Sequence, residues 1–329
     1  MDRAHEYVSG DDFIEALLTA VWISGWEGKP TVVPCNTEYD FRQAEAVALI
    51  LSALGQPAAI NTERKTGEIK VLTTPLPAGT FTITVPSNLD SGKILLSLVT
   101  LALKCSGRIR FIVRGEWLSV SKTPIYFLTD TVFKGLGEFA EIRTNFDKLK
   151  YHGGCEVSVI VEPKQFKRTL NGEDILLPNV PKEIRGTSSA AQSLEPREVA
   201  ERQSIGARQE LSNMPCPIKI RKIYELKSEP GTVCSLAALL KGKDFEFYMG
   251  SWCYGERSKP AEEVGQEAAG LLFAQIESAS PDPHMIYFYA PWLFLKGRAI
   301  ISKEEPEVAS LCEILSENFG SKLFSEPRI

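Results

Sequence analysis

Apolar residues first recur at helical spacing in Phe13, Ile14, Leu17, Leu18, Val21 and Trp22, behind Asp11 and Asp12, which can cap such a helix. Gly28, Lys29 and Pro30 end that element, and a short strand follows at Thr31–Val33. A second helix runs from about Phe41 to Leu54 and is closed by Gly55, with strands near Ala58–Asn61 and Glu68–Thr73. The same order then recurs. Thr80–Val85 alternates as a half-buried strand does, Ser91 opens a helix through Cys105, and Arg108–Val113 alternates again. A helix from about Pro124 to Leu136 and strands near Glu138–Arg143 and Cys155–Val161 complete it. Two units of about 80 residues with one element order indicate an internal repeat of structure without a repeat of residues.

Further on, Ala261, Val264, Ala268, Leu271, Leu272 and Ile276 lie on one face of a helix expected over Pro260–Glu277. Pro260 suits the first helical position, and Glu262 and Glu263 suit the positive end of its dipole. Another helix is expected over Glu305–Phe319. The two can supply a third unit if the segment between Pro181 and Gly255 is set aside. That segment opens on a proline-rich break, Leu177 to Lys182, and contains a helix from Glu195 to about Leu211. Alternating strands follow it at Pro217–Leu226, Thr232–Leu240 and Phe245–Gly250. Helix and strands together describe a small α+β subdomain.

Composition narrows the function only a little. A net charge of −5 provides no global basic field, so any nucleic-acid contact needs a local patch. Seven cysteines, scattered and without a C-x-x-C pair, read as reduced thiols of a cytoplasmic protein, not as a disulfide or zinc framework. No apolar leader precedes the first helix, and the longest apolar runs, Ala46–Leu54 and Ile94–Leu103, are too short to span a bilayer. Neither a membrane nor DNA is expected as a partner.

The order of residues carries more. Gly255, Glu256 and Arg257, followed after two residues by Pro260-Ala-Glu-Glu-Val-Gly-x-Glu-Ala-Ala, closely resemble the helix entering the last repeat of RNA 3′-terminal phosphate cyclases. Ile184-Arg-Gly-Thr-Ser188, with its Gly-x-Ser turn, and Leu194-Glu-Pro-Arg-Glu-Val-Ala-Glu-Arg-Gln203 resemble that family's entry into its insert domain. The stretch from Tyr151 to Val157 resembles the Tyr-Pro-x-Gly-Gly-Gly strand entry, and Ser87–Leu103 resembles the loop and helix of the second repeat in pattern. The resemblance implies an α+β fold of three tandem βαβαββ units, like the C-terminal domain of translation initiation factor three. The core would comprise residues 1–181 and 256–329, with repeats at about 1–78, 79–163 and 164–181 plus 256–329. An insert domain would occupy 182–255.

The family activates RNA 3′-phosphate ends with ATP: a histidine takes AMP, passes it to the RNA phosphate, and the 2′-hydroxyl closes a 2′,3′-cyclic phosphate. Such chemistry needs a nucleophile and cations around the triphosphate. The corresponding region here, Gly297–Cys312, has no histidine; the chain has only His5, His152 and His284. Pro34–Glu38 replaces a basic segment, Arg42 and Gln43 stand where the family has a Gln-His pair, and the acidic residue ahead of Pro291 falls near Tyr287. The resemblance therefore implies an RNA-binding, non-cyclising member, with a ribonucleoprotein or protein partner and no bound cofactor or metal. The alternative is an active cyclase with a relocated nucleophile, using ATP and Mg²⁺ or Mn²⁺, for which His152 and Cys312 are the candidates. A subunit that completes its site with a partner chain is a third arrangement.

Other candidates come from the residues alone. Ser91, Gly92 and Lys93 at a helix start offer N–H groups, a positive dipole end and an ammonium to a phosphate, although an ordinary helix cap uses the same residues. Arg108, Arg110 and Arg114 share one strand face, as do Lys219 and Arg221, and can track an RNA backbone or simply be solvated. Gly153 and Gly154 beside His152 offer a phosphate-contacting turn.

Overall fold

The computed structural model describes residues 12–35, 37–116, 123, 125–145, 154–166, 173–174, 183–191, 196–226, 235–241, 247–253, 260–278 and 286–298. The first unit comprises α1 (Asp12–Glu27), β1 (Thr31–Pro34), α2 (Glu38–Ala53), β2 (Ile60–Glu63) and β3 (Glu68–Val71). The second comprises β4 (Gly79–Thr84), α3 (Ser91–Ala102), β5 (Ile109–Glu116), a broken helix, β6 (Ala140–Asn145) and β7 (Gly154–Pro163). Short pieces follow at β8 (Glu173–Asp174), then β9 (Ile184–Ala191), α6 (Pro196–Glu210), β10 (Ile218–Leu226), β11 (Ser235–Lys241) and β12 (Phe247–Cys253). The described chain closes with α7 (Ala261–Ser278), α8 (Ile286–Lys296) and β13 (Gly297–Arg298). This is a mixed α+β architecture.

The first two sheets share a pattern. In one, the order is β1-β3-β2; in the other, β4-β5-β7-β6. Both antiparallel pairs of the first sheet have counterparts in the second, where β4 adds a parallel strand beside β5. The sheets turn one face outward and pack the other on helices. Residues 14–25 of α1 and all of α3 are buried, so these two helices form the centre of the core. Ser97 Oγ of α3 donates to the Leu18 carbonyl of α1 at 2.9 Å. Gly25 lets them touch: a Cβ there would stand 2.3 Å from Leu101 Cδ1. Phe294 of α8 meets Trp22 edge-on at 5.1 Å, and Phe288 meets Phe127 at 5.3 Å, geometries that aromatic quadrupoles favour.

Several elements differ from expectation. α2 starts three residues early because Thr37 and Asp40 form a reciprocal capping box. The helix expected over Pro124–Leu136 is broken into α4 (Ile125–Phe127), a π-helical stretch (Leu128–Val132), α5 (Phe133–Gly135) and a 3₁₀ turn (Leu136–Glu138). β-branched Thr129, Thr131 and Val132, followed by Gly135 and Gly137, give that stretch little intrinsic preference for a regular α-helix. α8 has no counterpart among the expected elements, and its aromatic run and internal Pro291 disfavour a helix locally. Its burial against α1 and α4 outweighs both. The Ile184–Ser188 turn is the strand β9, paired parallel with β10. Pro260 precedes α7 as its cap residue, its carbonyl accepting from Val264 N–H at 3.3 Å. The helix expected over Glu305–Phe319 lies outside the described residues.

α7 packs on α6 and on β11. Ala269 and Leu272 share one apolar cluster with Ile184, Ala207 and Leu211. The two helices meet at backbone contact: a Cβ on Gly206 would stand 2.0 Å from the Glu262 carbonyl oxygen, and one on Gly265 would stand 1.9 Å from that of Gln203. Gly206→Ala and Gly265→Ala should therefore each lower stability by about 1–3 kcal/mol, overpacking outweighing alanine's helix preference. Gly270→Ala, whose nearest neighbour is a flexible Glu210 side-chain atom at 4.0 Å, should be neutral or stabilising. Urea unfolding of the three variants checks this; equal stability of Gly206→Ala and Gly270→Ala would refute the contact.

Candidate functional site

The chemistry-bearing residues gather where the first turns of α1 meet the start of α3. Asp90 caps α3, and its carboxylate is fully used. Oδ1 accepts from the Gly92 and Lys93 N–H groups at 2.7 and 3.1 Å, and Oδ2 from the Thr123 N–H and hydroxyl at 2.7 and 2.8 Å. The donors that could receive a phosphate already hold a carboxylate. Thr123 also closes over the helix start: a Cβ on Gly92 would lie 2.6 Å from the Thr123 carbonyl oxygen. Ser91 is buried, with its hydroxyl lacking a hydrogen-bond partner, and Gly115 makes room for it.

Lys93 is buried with it. Its ammonium contacts Glu15 Oε1 at 2.6 Å, both side chains being at most 5% exposed. From the third element, the buried Tyr287 hydroxyl of α8 donates to the Lys93 carbonyl at 2.6 Å. One lysine thus ties α1, α3 and α8. Burial, followed by the charges of Glu15 and Asp90, pushes the Tyr287 phenol well above its ordinary range. The position read as having lost an acidic residue is filled by a phenol that stays neutral and donates.

On α2, Arg42 is exposed, whereas neighbouring Gln43 is 1% exposed with neither amide atom hydrogen-bonded. The helix turn between them points the two side chains apart. The arginines of β5 are also spoken for. Arg114 pairs with Glu156 directly across the strands at 3.1 Å, Arg108 contacts Glu162 at 3.5 Å, and Arg110 donates to Ser158 Oγ at 2.9 Å. In the insert, Lys219 pairs with Glu183 at 2.5 Å. Hydrogen bonds from Lys219 and then Arg185 hold the Glu183 carboxyl below its usual range. Each exposed pair contributes at most about 1 kcal/mol; the carboxylates offset part of the positive charge of these faces, while Arg110 meets a neutral hydroxyl and Lys219 shares Glu183 with Arg185. Gly154 opens β7; His152, Gly153 and Cys312, with His5 and His284, lie outside the described residues. Among the described residues no group of three or more histidine, cysteine or acidic side chains could hold a metal, and no described helix is long and apolar enough to cross a membrane.

Lys93→Met strands a buried carboxylate and should cost about 3–5 kcal/mol, whereas Glu15→Leu with Lys93→Met should recover most of that loss. Chemical denaturation of the single and double variants gives the coupling; additive losses would contradict the pair. Tyr287 generates a pH effect. Its phenol ionises near pH 10 in the unfolded chain but only at higher pH when folded, so its contribution is whole below pH 10 and falls away above it. Tyr287→Phe should cost about 0.5–1.5 kcal/mol at neutral pH and flatten the alkaline decline. A decline of unchanged steepness in the variant would assign it elsewhere.

Residues 178–277 match the family model described as the RNA 3′-terminal phosphate cyclase insert domain, a span that takes in all of α7 but its last residue. An RNA 3′-terminal phosphate cyclase of Pyrobaculum neutrophilum is 27% identical over 305 residues, covering 88% of this chain and 85% of the relative. That of Pyrobaculum aerophilum is 37% identical over 158 residues, 46% of this chain and 42% of the relative. The Pyrococcus furiosus protein of the same name is 28% identical and covers 80% and 72%. Among solved structures, the enolpyruvyl transferase NikO from Streptomyces tendae is 14% identical with a TM-score of 0.29, over 57% of this chain and 34% of its own, too slight a likeness to carry weight. Residues 178–277 thus match the insert domain of RNA 3′-terminal phosphate cyclases, and the Pyrobaculum neutrophilum and Pyrococcus furiosus relatives are similar to this chain along most of its length.

Proposed function

We propose that this protein is a cytoplasmic, RNA-binding member of the family that does not cyclise RNA ends. The observation that carries the proposal is the Lys93–Glu15 pair under the Asp90 cap. A triphosphate in transfer needs cations and free N–H donors, and at this helix start the ammonium is neutralised and the donors are occupied. The carboxylates facing Arg108 and Arg114 support the same reading for the outer sheet. Absence of a histidine from Gly297–Cys312 removes the nucleophile from its family position. RNA as the partner follows from the names of the relatives. A ribonucleoprotein or protein partner belongs to the same proposal.

We further infer a division into a core of three tandem units and one insert. α7 goes with the insert in this proposal, because it shares a cluster with α6 and β9 and lies, but for its last residue, inside the family-model match. That moves the insert's end from about residue 255 to about 278.

Incubation with α-labelled ATP, Mg²⁺ or Mn²⁺ and an oligoribonucleotide ending in a 3′-phosphate tests the proposal. The expected outcome is no protein-bound label and a terminus still open to phosphatase, with the oligonucleotide retained by the folded protein. Label on the protein and a phosphatase-resistant end would establish the alternative, an active cyclase. Peptide mapping would then decide between His152 and Cys312 as its nucleophile.

A further inference from the structure

A pocket opens at the end of α3 opposite Lys93. Lys104 follows the helix 11 residues after Lys93, about 16 Å along the axis. The pocket encloses about 610 Å³ between the C-terminal ends of α1 and α3 and the segment after β7. Trp26, Leu103, Cys105 and Phe166 give it an apolar and aromatic wall; Lys104, Lys164 and Gln165 give it polar groups. Its volume lies within the range of small-molecule sites. No carboxylate is among its described lining residues.

The two lysines are held in place, not left to wander. Lys104 donates to the Trp26 carbonyl and lies 5.9 Å from that residue's ring centroid. Lys164 donates to the Gly137 carbonyl at 2.5 Å. Each ammonium has three donors and spends one on its carbonyl, which leaves two for a ligand. The rings are fixed as well. Trp26 Nε1 donates to the Thr100 carbonyl at 3.0 Å, its ring meets Phe294 at 5.5 Å and Phe166 at 5.9 Å, and Phe166 meets Phe139 at 5.0 Å. Groups already ordered lose little entropy on binding. A ligand that suits this wall and these charges has a flat ring and an anion within a few ångströms of it.

We propose that the pocket binds one nucleotide unit, its base on the Trp26–Phe166 wall and its phosphate between Lys104 and Lys164. Aromatic surfaces beside cations hold single-stranded nucleic acid without regard to sequence. Assigning the nucleotide to an RNA strand rests on the RNA-binding function proposed above, whereas the pocket's chemistry would equally take a free mononucleotide.

The experiment measures binding of a fluorescent hexaribonucleotide, and separately of AMP, to the full chain across a salt series. Lys104→Gln with Lys164→Gln changes two exposed side chains and leaves the fold intact. It should weaken hexamer binding at least tenfold and flatten the salt slope by about 0.7, one phosphate's worth for a single strand. Phe166→Leu should weaken binding about 5- to 100-fold with an unchanged slope, since it removes stacking and no charge. Losses confined to the hexamer assign the pocket to an RNA strand; equal losses for AMP assign it to mononucleotides. Wild-type affinity and slope in the double variant would overturn the pocket while leaving RNA binding elsewhere untouched. No binding of either probe by the wild-type chain would overturn it too.

Discussion

The core depends on one buried charge pair. Lys93 and Glu15 are each worthless alone in an apolar interior, where an unpaired charge is severely penalised. Together they fix the register of α1 against α3, and the Tyr287 hydroxyl on the Lys93 carbonyl brings α8 to the same point. Three helices distant in sequence are pinned by one residue. A pair of this kind adds little net stability over apolar neighbours; its effect is to make other packings of the same helices costly.

Neutralisation of the same sort recurs on the surface. Arg108 just before β5 and Arg114 on it meet Glu162 and Glu156 of β7, while Arg110 reaches diagonally to the neutral Ser158 hydroxyl, so the outer sheet offsets part of its positive charge. The insert repeats the arrangement around Glu183. A protein with a net charge of −5 and internally matched basic strands has little diffuse attraction for a polyanion. Recognition must then come from sites where a cation is left with donors to spare.

How much of this was legible in the sequence depended on distance along the chain. Alternation at Thr80–Val85 and helical spacing at Ala261–Ile276 announced β4 and α7, since both patterns are local. The α+β class and the resemblance to RNA 3′-terminal phosphate cyclases followed from local motifs as well. What sequence could not provide was register. The arginines at β5 were visible as one face, but their partners on β7 lie 42 to 54 residues away. Lys93 read as a candidate phosphate contact at a helix start because Glu15, 78 residues earlier, gave no sign of meeting it. One signal was available and missed: Asp90 directly before Ser91 is a strong N-cap and takes the same donors a phosphate would. α8 was missed for another reason, its aromatic composition and Pro291 arguing locally against the helix that burial imposes.

The backbone contact between Gly206 and Gly265 also bears on how this chain could be taken apart. Two helices touching through their main chains leave no side-chain layer between them that could be re-covered by water or by a substitute residue. A fragment ending before α7 would keep β9, α6 and the following strands but bare a narrow groove floored by peptide groups along α6. The carbonyl of Gln203 and the small faces of Gly206 and Ala207 would line it. α7 reaches that surface because it carries its own glycine, Gly265, at the crossing. Moving α6 to another scaffold therefore means moving α7 with it, since the two share backbone contact.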